Sequence, residues 1–269
     1  MAITALNSAA TGLRALSTRI DVIANNLANA ETQAFKRSRV NFEDLMYLTL
    51  KQPGAQSGAG DIAPAGVFVG LGTRISNTQL DLEQGSLDTT NRNLDIGIQG
   101  AGFLRVKTLP TIGDGFAYTR NGNLLVNAKG ELIVGMGDGY KLDPPITLPA
   151  NATDITISED GQISVATPGS TGRKSIGNIQ LYNFINPQGL NLLGGSLYGE
   201  TEAYGNPVSG RPGENGTGKI LQGSLEGSNV DPVKELVTLI KTQRAFELNS
   251  QSIQTADQAL QTIGNLRRF

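Results

Sequence analysis

Both ends of this 269-residue chain carry an apolar stripe that repeats every seven residues, and the sequence between them is rich in glycine and turn formers. Near the N-terminus Leu6, Ala9, Leu13, Leu16, Ile20, Ile23 and Leu27 follow at alternating steps of three and four. That spacing is the seam of a coiled coil rather than the broad face of an ordinary amphipathic helix. Near the C-terminus Leu239, Phe246, Ile253, Ala256, Leu260 and Ile263 fall in one heptad frame, with Thr242 and Asn249 as its polar members. A helix with so narrow a stripe cannot bury it alone and needs its counterpart, or other copies of the chain. The constraint points to assembly rather than catalysis.

Composition narrows the chemistry further. The chain has no cysteine, so it can form no disulfide framework, thiolate metal site or cysteine nucleophile. It has no histidine either, which removes the commonest general base and the commonest zinc ligand. Its 22 basic and 24 acidic residues leave a formal charge of −2, which makes no electrostatic case for nucleic acid or an anionic membrane. No apolar run approaches the roughly 18 to 20 residues that span a bilayer, so no membrane insertion is expected. Met1 to Ala10 lacks a basic n-region and a continuous apolar core, so no cleavable signal peptide is expected.

The pattern predicts an α+β chain in which discontinuous terminal helices bracket a mainly-β domain of short antiparallel strands. The first helix is expected over Thr4–Asn29, about 40 Å at 1.5 Å per residue. Gly12 in its middle implies close packing there, since glycine costs on the order of 1 kcal/mol in a helix. Lys36, Arg37 and Arg39 read as a solvated basic cluster, Phe42 to Met46 as a short helical patch, and Gln52 to Gly60 as a loop. From Val67 to about Glu226 short strands alternate with turn chemistry. Phe116–Arg120 and Asn123–Val126 flank Asn121-Gly122, which predicts a hairpin on a type I′ turn. A second hairpin is expected around Glu159-Asp160-Gly161. Gly97 to Phe103 fails as a phosphate loop because strand-like sequence follows it, and reads as a tight turn. Asp231 as cap and Pro232 as first helical residue start the last helix, and Arg267 and Arg268 suit its negative end. The expected division is 1–34 with 229–269 as a terminal helical domain, 35–66 as an extended linker, and 67–228 as a β-rich outer domain.

A search for chemistry finds none. Asp138, Asp143, Asp154 and Asp160 sit beside Gly, Pro or Thr, where bonds to the local backbone explain them. The calcium-loop pattern and the Gly-x-Ser-x-Gly elbow do not occur. No catalytic, cofactor-binding or metal-binding residue is expected, and no cofactor. The two termini must meet if their seams are to pair. Packing many copies side by side would cover the small-residue outer faces, and such a contact repeated without closing makes a helical tube. A monomer whose helices pair within one chain satisfies the same heptads.

Specific residues then carry a resemblance. Asp21 to Asn29, followed by Thr32 and Phe35-Lys36-Arg37, resembles the N-terminal signature of bacterial flagellar rod and hook proteins. Gly223 to Val230, Glu235-Leu236-Val237, Gln243 to Glu247 and Asp257 resemble the matching C-terminal signature. Gly100 to Phe103, Tyr118 to Gly122 and Asn186 to Leu190 fit the same family in order, so the resemblance covers nearly the whole chain. Phe42 to Tyr47 and Gln52 to Gln56 make it most similar to the distal-rod type. The family often has Tyr where Phe246 stands and Phe-Phe where Phe103-Leu104 stands.

The resemblance implies a subunit of a rigid hollow drive shaft in the flagellar basal body, spanning the periplasm and exported by the flagellar export apparatus. It further implies a homo-oligomeric tube with other rod proteins, the hook protein and a ring bushing as partners. Leu6, Leu13, Leu16, Ile20, Ile23, Leu27, Leu239, Phe246, Ile253, Ala256, Leu260 and Ile263 would form its assembly seam. Phe42 and Met46 resemble the aromatic-apolar motif that engages the export gate; a packing pair one helical turn apart would give the same spacing. A hook or proximal-rod subunit, and a β-rich carbohydrate-binding protein with coiled-coil ends, remain the alternatives.

Overall fold

A computed structural model describes residues 2–54, 64–108, 115–135, 137, 139–168 and 172–266. It divides into two compact units: Met1–Ala28 with Ser38–Leu80 and Asp231–Phe269, and Asn29–Arg37 with Asp81–Val230.

In the first unit helix α1 (Ala2–Ala28) packs on helix α2 (Pro232–Leu266). Asp231 caps α2 as its sequence predicts, its Oδ1 accepting from the N–H groups of Val233 at 3.1 Å and Lys234 at 3.2 Å. Strand β1 (Ser38–Asp44) leaves α1 and doubles back along it, paired antiparallel with β4 (Thr73–Leu80). The ribbon is pinned to α1 at both ends. The Asn26 carboxamide grips the backbone of Ser38, donating at 2.8 Å and accepting at 3.0 Å. Toward the start of α1, Thr11 Oγ1 accepts from the N–H of Thr73 and Ser8 donates to the carbonyl of Gly70, both at 3.3 Å. Gly72 lies between these anchors with φ +115°, and a Cβ there would stand 2.1 Å from Thr11 Oγ1, so only glycine fits. Beyond this point the ribbon continues as β2 (Tyr47–Lys51) and β3 (Val67–Gly70).

The helical patch expected over Phe42–Met46 is therefore strand and turn. Local preference there is weak, and the ladder to β4, with Phe42 opposite Ile75, supplies the backbone partners a lone helical turn would lack. The expected loop Gln52–Gly60 lies outside the described residues from position 55 onward.

The second unit is built on a seven-stranded antiparallel sheet in the order 191–194, 197–199, 116–119, 104–107, 140–143, 132–134, 124–126. A meander of Asp154–Ile157, Gln162–Ala166 and Lys174–Asn178 and three strand pairs complete it. Ile98, Leu104, Val106, Leu132, Ile163 and Leu181 are among its fully buried core. Glu159-Asp160-Gly161 makes the expected hairpin, with Ile157 opposite Ile163. Asn121-Gly122 does not: 116–119 pairs with 104–107 and 197–199, while 124–126 pairs with 132–134. The dipeptide is a corner instead. The Gly122 carbonyl accepts from Ile96 N–H at 3.0 Å, and a Cβ on Gly122 would lie 1.8 Å from the Ile96 carbonyl oxygen. A close backbone approach, not a positive φ, is what requires glycine there.

Gly122→Ala is accordingly expected to destabilise the β-rich unit by about 3 kcal/mol or more, measured as a lowered urea midpoint. The backbone amides and Lys234 hold the Asp231 carboxyl below its ordinary value of 3.8. Its contribution to the start of α2 should be fully present above pH 3.8 and be lost as pH falls through the lower folded value. Faster exchange of the Val233 and Lys234 amides below that pH would show it, and Asp231→Asn should abolish the pH dependence.

Candidate assembly surface and buried charge cluster

Along α1 the heptad residues Leu6, Leu13, Leu16, Ile20 and Leu27 are half-buried and Ile23 is buried. On α2 Leu239, Ile253, Ala256 and Leu260 are half-buried, Thr242 is buried and Phe246 lies at the margin of exposure. The Ile263 side chain, and Arg267 and Arg268, lie outside what is described. Gly12 faces Asn249, and an added Cβ would lie 3.5 Å from its Nδ2, an ordinary contact. The helices thus approach closely at Gly12, with room for alanine.

A second stripe on α2 was not read from the sequence. Val233, Leu236, Val237, Ile240 and Leu248 are all exposed, Val233 at 72% and Leu248 at 64%. At about 100° per residue they centre roughly 180° around the helix from Leu239, Thr242 and Phe246. The start of α2 therefore carries apolar side chains on two faces: Val233, Leu236, Val237 and Ile240 make a patch about 10 Å long that is left exposed among the described residues, and the ion pair of Arg244 and Glu247 lies on the same face before Leu248. The ribbon shows the same imbalance: Tyr47, Leu48, Leu50, Val67 and Phe68 are exposed. Leu48 stands opposite Val69 and Thr49 opposite Phe68, and Leu50 falls at a bulge in the ladder. A two-stranded ribbon with uncovered apolar faces is marginal by itself.

Phe42 lies with the Arg19 guanidinium 5.8 Å from its ring centroid, and Met46 is 82% exposed at the junction of β1 and β2. They are not one helical turn apart, so a helical packing pair does not explain their spacing. Among the carboxylates examined for chemistry, Asp143 accepts from Arg105 Nε at 2.6 Å, Asp154 pairs with Arg173 at 2.8 Å, and Asp160 bonds to its own turn. Asp138 lies outside the described residues. Among the described residues no three acidic groups gather where a metal could sit.

The largest departure from the sequence reading concerns Lys36. Rather than part of a solvated cluster, it is buried against Glu226, both side chains at 0% exposure. Lys36 Nζ donates to Glu226 Oε1 at 2.7 Å and to the carbonyl of Glu83 at 2.6 Å. Arg120 Nε donates to Glu226 Oε2 at 2.7 Å, and its other nitrogens reach the carbonyls of Gly102, Gly100 and Ile98 at 2.9, 3.0 and 3.3 Å. The Gly85 N–H completes the shell of Glu226 at 3.0 Å. Burial presses the Lys36 ammonium below its ordinary pKa while the Glu226 carboxylate opposes that shift. Ala34 and Lys36 are both buried, a two-residue alternation that places a lysine where an apolar residue would be anticipated.

Three family models match separate parts of the chain. The flagella basal body rod protein model matches residues 6–36, the D1 domain of flagellar hook proteins FlgE/F/G matches 97–165, and the flagellar basal body rod FlgEFG C-terminal model matches 221–266. The flagellar basal-body rod protein FlgG of Buchnera aphidicola subsp. Schizaphis graminum is 46% identical over 257 residues, 95% of this chain and 96% of that protein. FlgG of Caulobacter vibrioides is 45% identical over 264 residues, 98% of this chain and 99% of that protein. FlgG of Bacillus subtilis is 36% identical over 269 residues, 98% of each. The chain belongs to the FlgG family of flagellar basal-body rod proteins. It is a structural subunit of the distal rod, located in the basal body. Each of the three matched segments contributes one member of the buried cluster: Lys36, Arg120 and Glu226.

Glu226→Gln would leave two cations buried without their anion, and is expected to cost about 3–5 kcal/mol. Guanidinium denaturation of the purified subunit checks this; an unchanged midpoint would show that water reaches the cluster.

Proposed function

We propose that copies of this FlgG-family subunit pack side by side into a hollow helical tube, the shaft that carries torque from motor to hook. The two-faced character of α2 supports this reading most directly. One face packs within the chain, and a second copy would cover the opposite patch from Val233 to Ile240. Each covered side chain would remove apolar surface from water at roughly 25 cal/mol per Å². In this reading the terminal helices form the inner layer, the residues 35–66 wedge between neighbours, and 67–228 form the outer wall. Strand β2, with its exposed Tyr47, Leu48 and Leu50, is the part of that wedge a neighbouring subunit would bury, together with β3 at the edge of the outer wall.

The tube stands between other rod proteins and the hook protein, inside a ring bushing, across the periplasm. Its subunits reach that place through the flagellar export apparatus, and Phe42 and Met46 serve as the export-gate motif. The exposed, weakly packed position of Met46 suits a segment that must be read before folding. The role is mechanical rather than enzymatic, and calls for no cofactor.

Val237→Asp with Ile240→Asp puts two carboxylates into the uncovered stripe. These substitutions are expected to abolish rods in electron micrographs, and motility, while the purified subunit keeps wild-type circular dichroism. Leu13→Asp or Ile253→Asp should likewise prevent assembly with the β-rich unit still folded. Rods of normal appearance from the stripe variant would defeat the proposal. Deleting 52–60 is expected to yield softer or bent rods, and a straight shaft of normal stiffness would remove the wedge.

A further inference from the structure

The chain passes between its two units four times, at 28/29, 37/38, 80/81 and 230/231. Within the β-rich unit the stretches next to those passages, 34–37, 81–85 and 226–229, are bonded to one another. Ala34 N–H donates to the Glu226 carbonyl at 2.8 Å, Asp81 N–H to the Arg37 carbonyl at 2.8 Å, and Asn229 N–H to the Phe35 carbonyl at 3.3 Å. The Asn229 side chain accepts from Arg37 N–H at 2.8 Å and donates to the carbonyls of Asp81 at 2.8 Å and Glu83 at 3.1 Å. Beneath them lies the cluster of Lys36, Glu226 and Arg120, which reaches the same stretches through Glu83 and Gly85 and ties them to the turn at 98–102.

We infer that Lys36, Glu226 and Arg120 are positioning residues that lock together, inside the β-rich unit, the stretches beside three of its passages to the other unit, those at 37/38, 80/81 and 230/231. An apolar plug of equal volume would bury as much surface, and replacing buried ion pairs by apolar groups is often neutral or stabilising. What charge adds is direction. Glu226 accepts only where Lys36, Arg120 and Gly85 N–H converge, and Arg120 spreads its fork over three carbonyls that no aliphatic side chain could satisfy. A lock of this kind holds those three stretches as one piece, and in an assembled rod it would limit give within the β-rich unit; that last step rests on the assembly reading above.

Lys36→Met with Glu226→Gln tests the lock, because the pair leaves the buried net charge at one positive while the amide oxygen can still accept from Arg120. Hydrogen exchange on the purified full-length subunit is expected to quicken about tenfold or more at the amides of Ala34, Asp81 and Asn229. The amides of Leu132 and Leu148, bonded elsewhere in the unit at 2.9 and 2.7 Å, should be unmoved. Wild-type exchange at the first three, or equal acceleration at all five, would overturn the inference, since the cluster would then be idle or merely part of global stability. Lys36→Arg with Glu226 intact, which retains the ion pair, should keep more of the protection than the double variant does. In assembled rods the double variant is expected to show greater bending in micrographs than wild type, and equal straightness would overturn the role in the rod alone. The exchange experiment does not depend on assembly, so failure of the wild-type subunit to form tubes would count against the assembly reading and leave the lock standing.

Discussion

A carboxylate that loses its water must find its charge and its lone pairs matched inside the protein, and Glu226 does so with two cations and one backbone N–H. Both cations come from far upstream in the chain: Lys36 is separated from Glu226 by 190 positions and Arg120 by 106. Everything between 37 and 226 is in effect a set of insertions closed by this contact. Closing so long a loop costs only logarithmically more than closing a short one, so a single well-satisfied junction can hold a large β-rich insertion. The arrangement explains why the two helices, at opposite ends of the sequence, begin and end their connections in the same part of the β-rich unit.

The helices follow a different logic. Most globular helices show one apolar face and one solvated face. The start of α2, from Val233 to Thr242, is apolar on both, and its seam toward α1 is diluted with Thr242 and Asn249. Such a helix holds its place in one chain without exhausting its capacity for contact. On the assembly proposed above, that surplus is the property needed, since a subunit satisfied by itself would have no reason to add to a shaft. The β2–β3 ribbon shares the logic in strand form: paired along its backbone, uncovered on its faces. Its neighbours β1 and β4 are tied to α1 by Asn26 and Thr11, and Ser8 holds Gly70 at the near end of β3. The ribbon is therefore rigid at its base while its far half is left for a partner.

Several elements were legible because their causes are local. The cap at Asp231, the spacing of the heptads and the hairpin at Glu159-Asp160-Gly161 depend on residues within a turn or two of one another. The errors also share a cause. Phe42 to Met46 has helix-compatible composition but lies opposite β4, more than 25 residues away along the chain. Asn121-Gly122 has the chemistry of a tight hairpin, yet its strands pair elsewhere, and the glycine answers to the Ile96 carbonyl. Lys36 looked solvated because it stands beside Arg37 and Arg39, and its acid partner is near the other end of the chain.

The sequence by itself determined the helical ends, the β-rich middle and the family, because heptad repeats, caps and signature segments are written in consecutive residues. Only the tertiary structure decided which charges are buried, which strands are neighbours, and that α2 keeps an uncovered face opposite its seam. Burial and pairing are set by groups that meet across a hundred or more positions, and no local pattern of charge or hydropathy encodes which of them will meet.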